Sequence, residues 1–402
     1  MRHLKQVLSV AVATGALGVA APTLAQDAAI GFLGGFTGPI ESLAPPILAG
    51  AELAVSHINA QGGILEDGTL SLVTADGACD TTAAGNAADR LINSDGVVAI
   101  IGGLCTGETI GAANTAGIPG GVVLVSPAST APALTTLDDN DLVFRTTPSD
   151  AFQGERLAQL LLNKGINEIA VTYVNNDYGA GFDSALVAAY EAGGGTITAN
   201  LAHEDGRADY RAELGNLAST GTETLVILAY ANSSGQTILR QALESGNFNV
   251  FVGGDGMVGD DLFTGIDTSL VEGMIATRAG AFEGESADIF AALSEEAGLN
   301  PSDVYAPQAY DAAFLLALAI EYNGSAERAG LSEALRTVAS APGEPILPGE
   351  WEKAKALIAA GEDINYVGAG GELDFDEAGD VDGIIVELTV EDGRFVEVGV
   401  IE

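Results

Sequence analysis

The sequence predicts an α/β protein of two Rossmann-like lobes with parallel-sheet cores. Short apolar runs alternate with segments of helical periodicity along most of the chain, the pattern of strands joined by helical crossovers. That rhythm breaks near residue 147 and then restarts. The length, 402 residues, exceeds the roughly 150 of one domain and suits two.

In the first run the pattern predicts strands over 29–34, 70–75, 97–102, 122–126 and 142–146. Helices are predicted over 50–58, 82–91 and 109–116. The first of these has an apolar face of Ala51, Leu53, Ala54, Val55 and Ile58, with Glu52 and Ser56 outside. Gly62-Gly63 follows it and supplies the positive φ of a helix stop. In the second run helices are predicted over 151–163, 182–191, 210–219 and 234–244. Strands fall at 169–174, 196–201, 224–228, 250–253 and 273–277, and Gly193-Gly194-Gly195 acts as a breaker. Helices over 287–297 and 307–322 follow. Strand-like stretches close the chain at 373–375, 383–390 and 395–401. Residues 343–371 are rich in Pro and Gly, with a helix-like insert over 351–360, and read as a surface excursion.

Residues 1–25 stand apart. Arg2, His3 and Lys5 precede an apolar stretch of about 15 residues, short of the roughly 20 that span a membrane, and Thr23-Leu24-Ala25 resembles a cleavage site. This is the pattern of a secretory signal peptide cut after Ala25, which predicts an extracytoplasmic, periplasmic protein without direct membrane insertion. The chain carries 56 acidic against 15 basic side chains, a formal charge of −41. Nucleic-acid binding, which needs clustered Lys and Arg, is thereby disfavoured. The two cysteines, Cys79 and Cys105, form an even count in an exported chain and point to a disulfide, with two free thiols as the other reading. Metal ligation is not expected.

Motifs for catalysis are weak. Gly254-Asp255-Gly256-Met257-Val258-Gly259 matches a dinucleotide fingerprint, but the acidic, irregular stretch after it would repel a pyrophosphate. Asp374-Phe375-Asp376-Glu377-Ala378-Gly379 resembles the start of a calcium loop, yet Ala378 and Ile385 stand where ligand oxygens belong. No nucleophile elbow occurs. His57 reads as a packing or surface residue, and His203 as a surface ion pair with Glu204 or Asp205. No catalytic residue and no cofactor is expected.

Open α/β sheets bind ligands beyond the carboxyl ends of their strands. There Thr106-Gly107-Glu108-Thr109 and Ser126-Pro127-Ala128-Ser129-Thr130 bring hydroxyls and amides suited to an anion. Asp177-Tyr178-Gly179 and Tyr230 bring aromatics, and Asp255 a carboxylate for a cation. Singly these could be helix caps and rim packing. Together they describe a cleft with anion donors on one lobe and a cation acceptor on the other.

In these segments the chain resembles the periplasmic branched-chain amino-acid binding proteins of ABC transporters, with the type I periplasmic binding fold. Further motifs in the same order are Thr37-Gly38-Pro39, Gly50-Ala51-Glu52-Leu53-Ala54-Val55, Ile58-Asn59-Ala60-Gln61-Gly62-Gly63, Phe144-Arg145 and Ile238-Leu239-Arg240-Gln241-Ala242. The resemblance implies that Thr106 binds an α-carboxylate by hydroxyl and amide, aided by the Thr130 amide. The Ala128 carbonyl, the Thr130 hydroxyl and Asp255 would receive the α-ammonium. Asp255 stands where members often carry Glu. Tyr178 and Tyr230 would close over the ligand, and Leu104, Cys105, Ser129 and Tyr305 would border its side chain. Leu43, beside Ser42, replaces a common aromatic. The resemblance also implies a three-segment hinge crossing near Pro148, Arg278 and Ile384, so that lobe one is 27–147 plus 279–383 and lobe two is 148–278 plus 384–402. The implied function is capture of an aliphatic L-amino acid by a monomer and its delivery to an ABC permease. An amide, urea or aromatic acid on the same fold, or a ligand-sensing module for a signalling receptor, is the alternative.

Overall fold

The computed structural model describes residues 26–402, so the expected leader lies outside the described residues. The first half builds a five-stranded sheet from β1 (Ala28–Gly34), β2 (Leu70–Asp76), β3 (Ala99–Gly102), β4 (Val123–Ser126) and β5 (Val143–Arg145). All its neighbours are parallel and the order is β2-β1-β3-β4-β5. The crossovers are α1 (Ala44–Ala60), α2 (Thr81–Asn93), and α3 (Thr106–Ala112), which runs through a π-helical turn into the short α4 (Ile118–Gly120). Strands buried on both faces explain the unbroken apolar runs; every residue of β3, β4 and β5 is buried.

The second sheet starts again after α5 (Asp150–Asn163). It contains β6 (Glu168–Val174), β7 (Thr196–His203), β8 (Thr224–Leu228) and β9 (Val250–Gly253), linked by α6 (Asp177–Ala192), α7 (Arg211–Ala218) and α8 (Gln236–Ser245). β10 (Ile275–Ala279) extends it. The chain then returns to the first sheet through α9 (Glu285–Glu296), α10 (Ala306–Asn323), α11 (Leu331–Ala339), a two-stranded ribbon of β11 (Glu344–Ile346) and β12 (Ile364–Tyr366), and α12 (Trp351–Ala360) between them. Finally β13 (Ile385–Glu391) and β14 (Arg394–Val400) go back to the second sheet. Its order is β14-β13-β10-β9-β8-β6-β7, with the last two strands antiparallel.

α10 is the spine of the first lobe, buried from Ala306 to Ile320 and packed on α1, β3 and β4. The α1–α10 approach requires glycine at 50, because a Cβ there would sit 2.3 Å from the Ala306 carbonyl oxygen. Among the described residues no helix is long and apolar enough to cross a membrane.

Several sequence expectations are corrected. α1 starts at Ala44 rather than 50, because Pro45 and Pro46 sit in its first turn, where the ring-fixed φ fits and no N–H is needed. α3 starts at Thr106 rather than 109, and α6 at Asp177 rather than 182, the latter capped by Asn176, whose Oδ1 accepts the Gly179 amide. α11 and the ribbon were not foreseen. Residues 373–375 form no strand; Asp374 instead accepts the Ala341 amide.

The 343–371 stretch is no surface excursion. Trp351 is fully buried, donates from Nε1 to the Gly63 carbonyl (2.9 Å) and meets Phe314 edge-on. His203 makes no surface ion pair. It is 3% exposed, its Nδ1 lies 2.8 Å from the Thr172 hydroxyl, and burial depresses its pKa to about 4. His57 is half-buried against the Tyr310 hydroxyl (3.0 Å). In the calcium-like stretch, Asp376 accepts the Ala378 and Asp380 amides, and Asp380 pairs with Arg145.

Candidate functional site

Each sheet reverses its strand order at the second strand from one edge. In the first sheet the chain leaves β1 towards β2 on one side and reaches β3 on the other; in the second, β6 is flanked by β7 and β8. At such a point adjacent loops diverge and leave a crevice at the carboxyl ends. The two crevices face each other across a cleft.

The first lobe supplies Ile40, Leu43 and Ile47 from the entry to α1, Leu104, Cys105 and Thr106 after β3, Ala128 after β4, and Tyr305 before α10. The second supplies Tyr178 after β6, Tyr230 after β8, and Asp255 and Gly256 after β9. Nine of the expected site residues therefore come together: Leu43, Leu104, Cys105, Thr106, Ala128, Tyr178, Tyr230, Asp255 and Tyr305. Ile40, Ile47 and Gly256 were missed. Ile47 follows Leu43 by one helical turn, a signal hidden by the late start assigned to α1.

Ser129 and Thr130 sit behind the wall rather than on it. The Ser129 hydroxyl lies 2.7 Å from that of Thr109 and donates to the Gly103 carbonyl, which fixes the β4 loop against the β3 loop. Thr130 donates its hydroxyl proton to Asp150 Oδ2 (2.8 Å).

Asp255 is the electrostatic centre. It is buried, and both carboxylate oxygens accept phenolic protons, Oδ1 from Tyr178 (2.9 Å) and Oδ2 from Tyr305 (2.7 Å). Burial raises its pKa, and the two phenols oppose that rise. Burial and the nearby Asp255 charge push both phenols well up, so they remain donors at any physiological pH. Tyr230 stacks on Tyr178 with centroids 5.3 Å apart, and its hydroxyl accepts Asn176 Nδ2 (3.0 Å). Tyr305 reaches across from the first lobe with a left-handed backbone (φ +62°), a conformation costly for a bulky residue.

On the first lobe the Thr106 hydroxyl accepts the Ala131 amide (3.3 Å). Its own proton remains for a further acceptor. The loop before it is braced twice. Cys79 and Cys105 form a disulfide with Cα atoms 5.4 Å apart. Glu108, buried and missed in the sequence, accepts the amides of Cys79 (2.8 Å), Leu104 (3.0 Å) and Cys105 (3.1 Å). Burial still lifts its pKa above the ordinary carboxylate value. Among the described residues no group of three or more His, Cys, Asp or Glu is placed to hold a metal ion.

The family model for periplasmic binding proteins matches residues 28–361. The chain belongs to this family. As a periplasmic binding protein it is 30% identical over 326 residues to the leucine-, isoleucine-, valine-, threonine- and alanine-binding protein of Pseudomonas aeruginosa, a match covering 79% of this chain and 85% of that one. The crystal structure of a leucine-binding protein from Thermotoga maritima superimposes with a TM-score of 0.79 at 25% identity, covering 93% of this chain and 99% of the other. An ABC transporter substrate-binding protein from Desulfitobacterium hafniense, solved with Leu, gives 0.72 at 26% identity and covers 93% and 100%. This binding protein thus has the type I periplasmic binding fold.

Proposed function

We propose that this binding protein captures an aliphatic L-α-amino acid, foremost leucine, isoleucine or valine, between its lobes and delivers it to the membrane permease of an ABC transporter. The observation that carries this reading is the buried Asp255, held by two phenols and facing the Thr106 hydroxyl across one cleft. A carboxylate buried among uncharged donors attracts a cation, and a hydroxyl with a free proton attracts an anion. A zwitterion satisfies both. The names of the relatives above, which bind leucine and its neighbours, support the same choice.

Thr106 takes the ligand carboxylate, and Asp255 with the Ala128 carbonyl takes the ammonium. Ile40, Leu43, Ile47, Leu104 and the disulfide sulfur of Cys105 form the wall for the side chain. Among the described residues no basic residue lines the cleft, so a second carboxylate would be buried unpaired and acidic amino acids are rejected. The lobes, 27–147 plus 279–383 and 148–278 plus 384–402, close about the crossings near Pro148, Arg278 and Ile384. The closed form is what the permease recognises. The ligand leaves chemically unchanged, and the protein acts as a monomer outside the cytoplasm, freed of its leader after Ala25 and not inserted in the membrane.

The test is a thermal-shift screen on refolded, ligand-stripped protein with the twenty amino acids, urea, short amides and benzoates. Leucine, isoleucine and valine should raise the melting temperature most. A shift with an amide or a benzoate and none with any aliphatic amino acid would refute the assignment.

A further inference from the structure

Beside the ligand cleft the two lobes touch directly. Ser42, in the turn before α1, donates its hydroxyl proton to Oδ1 of Asn232, which lies on the loop after β8. Ser42 precedes the cleft residue Leu43, and Asn232 follows the cleft residue Tyr230 by two positions. Ser42 and Asp261 line an adjoining cavity between the lobes, and Leu43 lines both that cavity and the cleft. Leu43 also meets the other lobe here: a Cβ built on Gly259 would lie 3.6 Å from Leu43 Cδ2 and 3.6 Å from the Ala231 Cβ.

The acceptor side is built to hold one orientation. The Asn232 amide nitrogen donates to Asp261 Oδ2 (3.0 Å). A carboxylate only accepts, so Asp261 claims the nitrogen and leaves the amide oxygen towards Ser42. Asn232 belongs to a π-helical turn, Ala231–Gly235, a kind of turn common at functional sites. Asp205 pins that turn by accepting the Ser233 hydroxyl (2.9 Å) and the Ser234 amide (3.1 Å). Gln236 ties it to the Asp261 segment by donating to the Asp261 carbonyl (2.7 Å).

We propose that Ser42 and Asn232 form a latch that fastens the closed lobes at the rim of the cleft and sets how long the protein holds its ligand, whatever the ligand's side chain. The proposal rests on the amino-acid reading of the cleft. The Tyr305–Asp255 bond also crosses between the lobes, but an ammonium seated on Asp255 competes for it. The Ser42–Asn232 bond does not pass through the ligand. It joins neutral groups, whose net gain over their bonds to water is small, so it can open in every cycle. A contact made only when the lobes are shut raises the closed population by one factor for every ligand. Ligand enters the open form and leaves only on opening, so the latch acts on departure rather than arrival.

The experiment uses the whole refolded, ligand-stripped protein as wild type, Ser42→Ala, Ser42→Thr, Asn232→Ala and the double alanine variant. Calorimetry gives the affinity for leucine, valine and 4-methylpentanoate, which keeps leucine's chain and carboxylate but lacks the ammonium. A chase of radiolabelled leucine with unlabelled leucine gives the departure rate. Each single alanine variant should lose about three- to tenfold in affinity, by the same factor for all three ligands and through faster departure. The double variant should be no worse than either single one, because they share one bond, and Ser42→Thr should hold leucine as the wild type does. A folded Ser42→Ala protein with unchanged departure would overturn the latch. So would losses that differ between ligands, which would mean that Ser42 reads the ligand itself, or losses that add in the double variant. If Asn232→Ala does not fold, Ser42→Ala against Ser42→Thr decides by the same rate. A wild type that binds none of the three ligands would instead overturn the reading of the cleft. Small-angle scattering of the ligand-free proteins then decides the latch: Ser42→Ala should have the larger radius of gyration, and equal radii would overturn it.

Discussion

Around the cleft, the loops after β1, β3 and β4 present Ile40, Leu43, Leu104, Thr106 and Ala128, while those after β6, β8 and β9 present Tyr178, Tyr230 and Asp255. The first lobe gives an apolar wall and a hydroxyl donor; the second gives a carboxylate and aromatic rings. The backbone logic is nevertheless shared, since both sets sit where a parallel sheet reverses its order. The fold decides where the cleft lies, and the loop residues decide which chemistry each lobe presents to it. Rigidity is divided differently too. The first lobe braces its loops with a disulfide and the nested Glu108 carboxylate. The second braces Asp255 with phenols, one of them lent by the first lobe.

Breaking the second lobe's share should cost most. Asp255→Ala removes one partner of a buried charge pair, a loss of about 2–5 kcal/mol. Leucine affinity by calorimetry should drop from tens to thousands of fold with the fold intact, and an unchanged affinity would remove Asp255 from the site. Acid should also weaken this lobe selectively, through His203. Its folded pKa of about 4 lies below its ordinary 6.5, so the neutral ring stabilises the folded state above pH 6.5. That contribution is lost as the pH falls from 6.5 towards 4, at a cost of about 3 kcal/mol. His203→Gln should flatten the pH dependence of the denaturant midpoint over this window; an unaltered slope would count against a neutral buried ring.

On the first lobe, Ser at both 79 and 105 opens a bridge between cysteines 26 positions apart. The expected loss is about 3 kcal/mol in urea unfolding, and reduction of the wild type should reproduce it. Thr106→Val is the mildest change, losing one charge-assisted hydrogen bond worth about 2 kcal/mol. It should weaken leucine and 4-methylpentanoate by the same factor, whereas Asp255→Ala should spare the latter. Similar ligand profiles for these two variants would erase the division between lobes.

Much of this was legible in the sequence. Strands that alternate with amphipathic helices have distinct periods, so the two sheets and their strand-end loops could be placed. Thr106, Ala128, Tyr178, Tyr230 and Asp255 followed from lying next to those strand ends, whereas Leu43, Leu104, Cys105 and Tyr305 came only with the resemblance to a family. What escaped has a common cause, dependence on residues far along the chain. Trp351 looked exposed because its partners, Gly63 and Phe314, lie elsewhere in sequence. His203 looked solvated beside Glu204 and Asp205, yet Thr172 and Tyr210 bury it. Ser129 and Thr130 carry the right chemistry at the right loop, but their hydroxyls are engaged by distant partners, Ser129 by Thr109 and the Gly103 carbonyl and Thr130 by Asp150.

The first sheet is built from one continuous stretch, residues 28–145, and the second is not. β13 docks beside β10, with Ala279 opposite Ile385, only after the whole segment carrying α9 to α12 has crossed to the first lobe and back. Likewise α10, the spine of the first lobe, arrives after the second lobe's parallel strands. A nascent chain thus meets neither core complete until nearly all of it is present, and contacts so distant in sequence form slowly. Until then the β10 edge is an open ladder of backbone donors and acceptors, which invites pairing with other chains. The heavy acidic charge then acts first on the unfinished chain, keeping the copies apart through mutual repulsion while the last strands find their places.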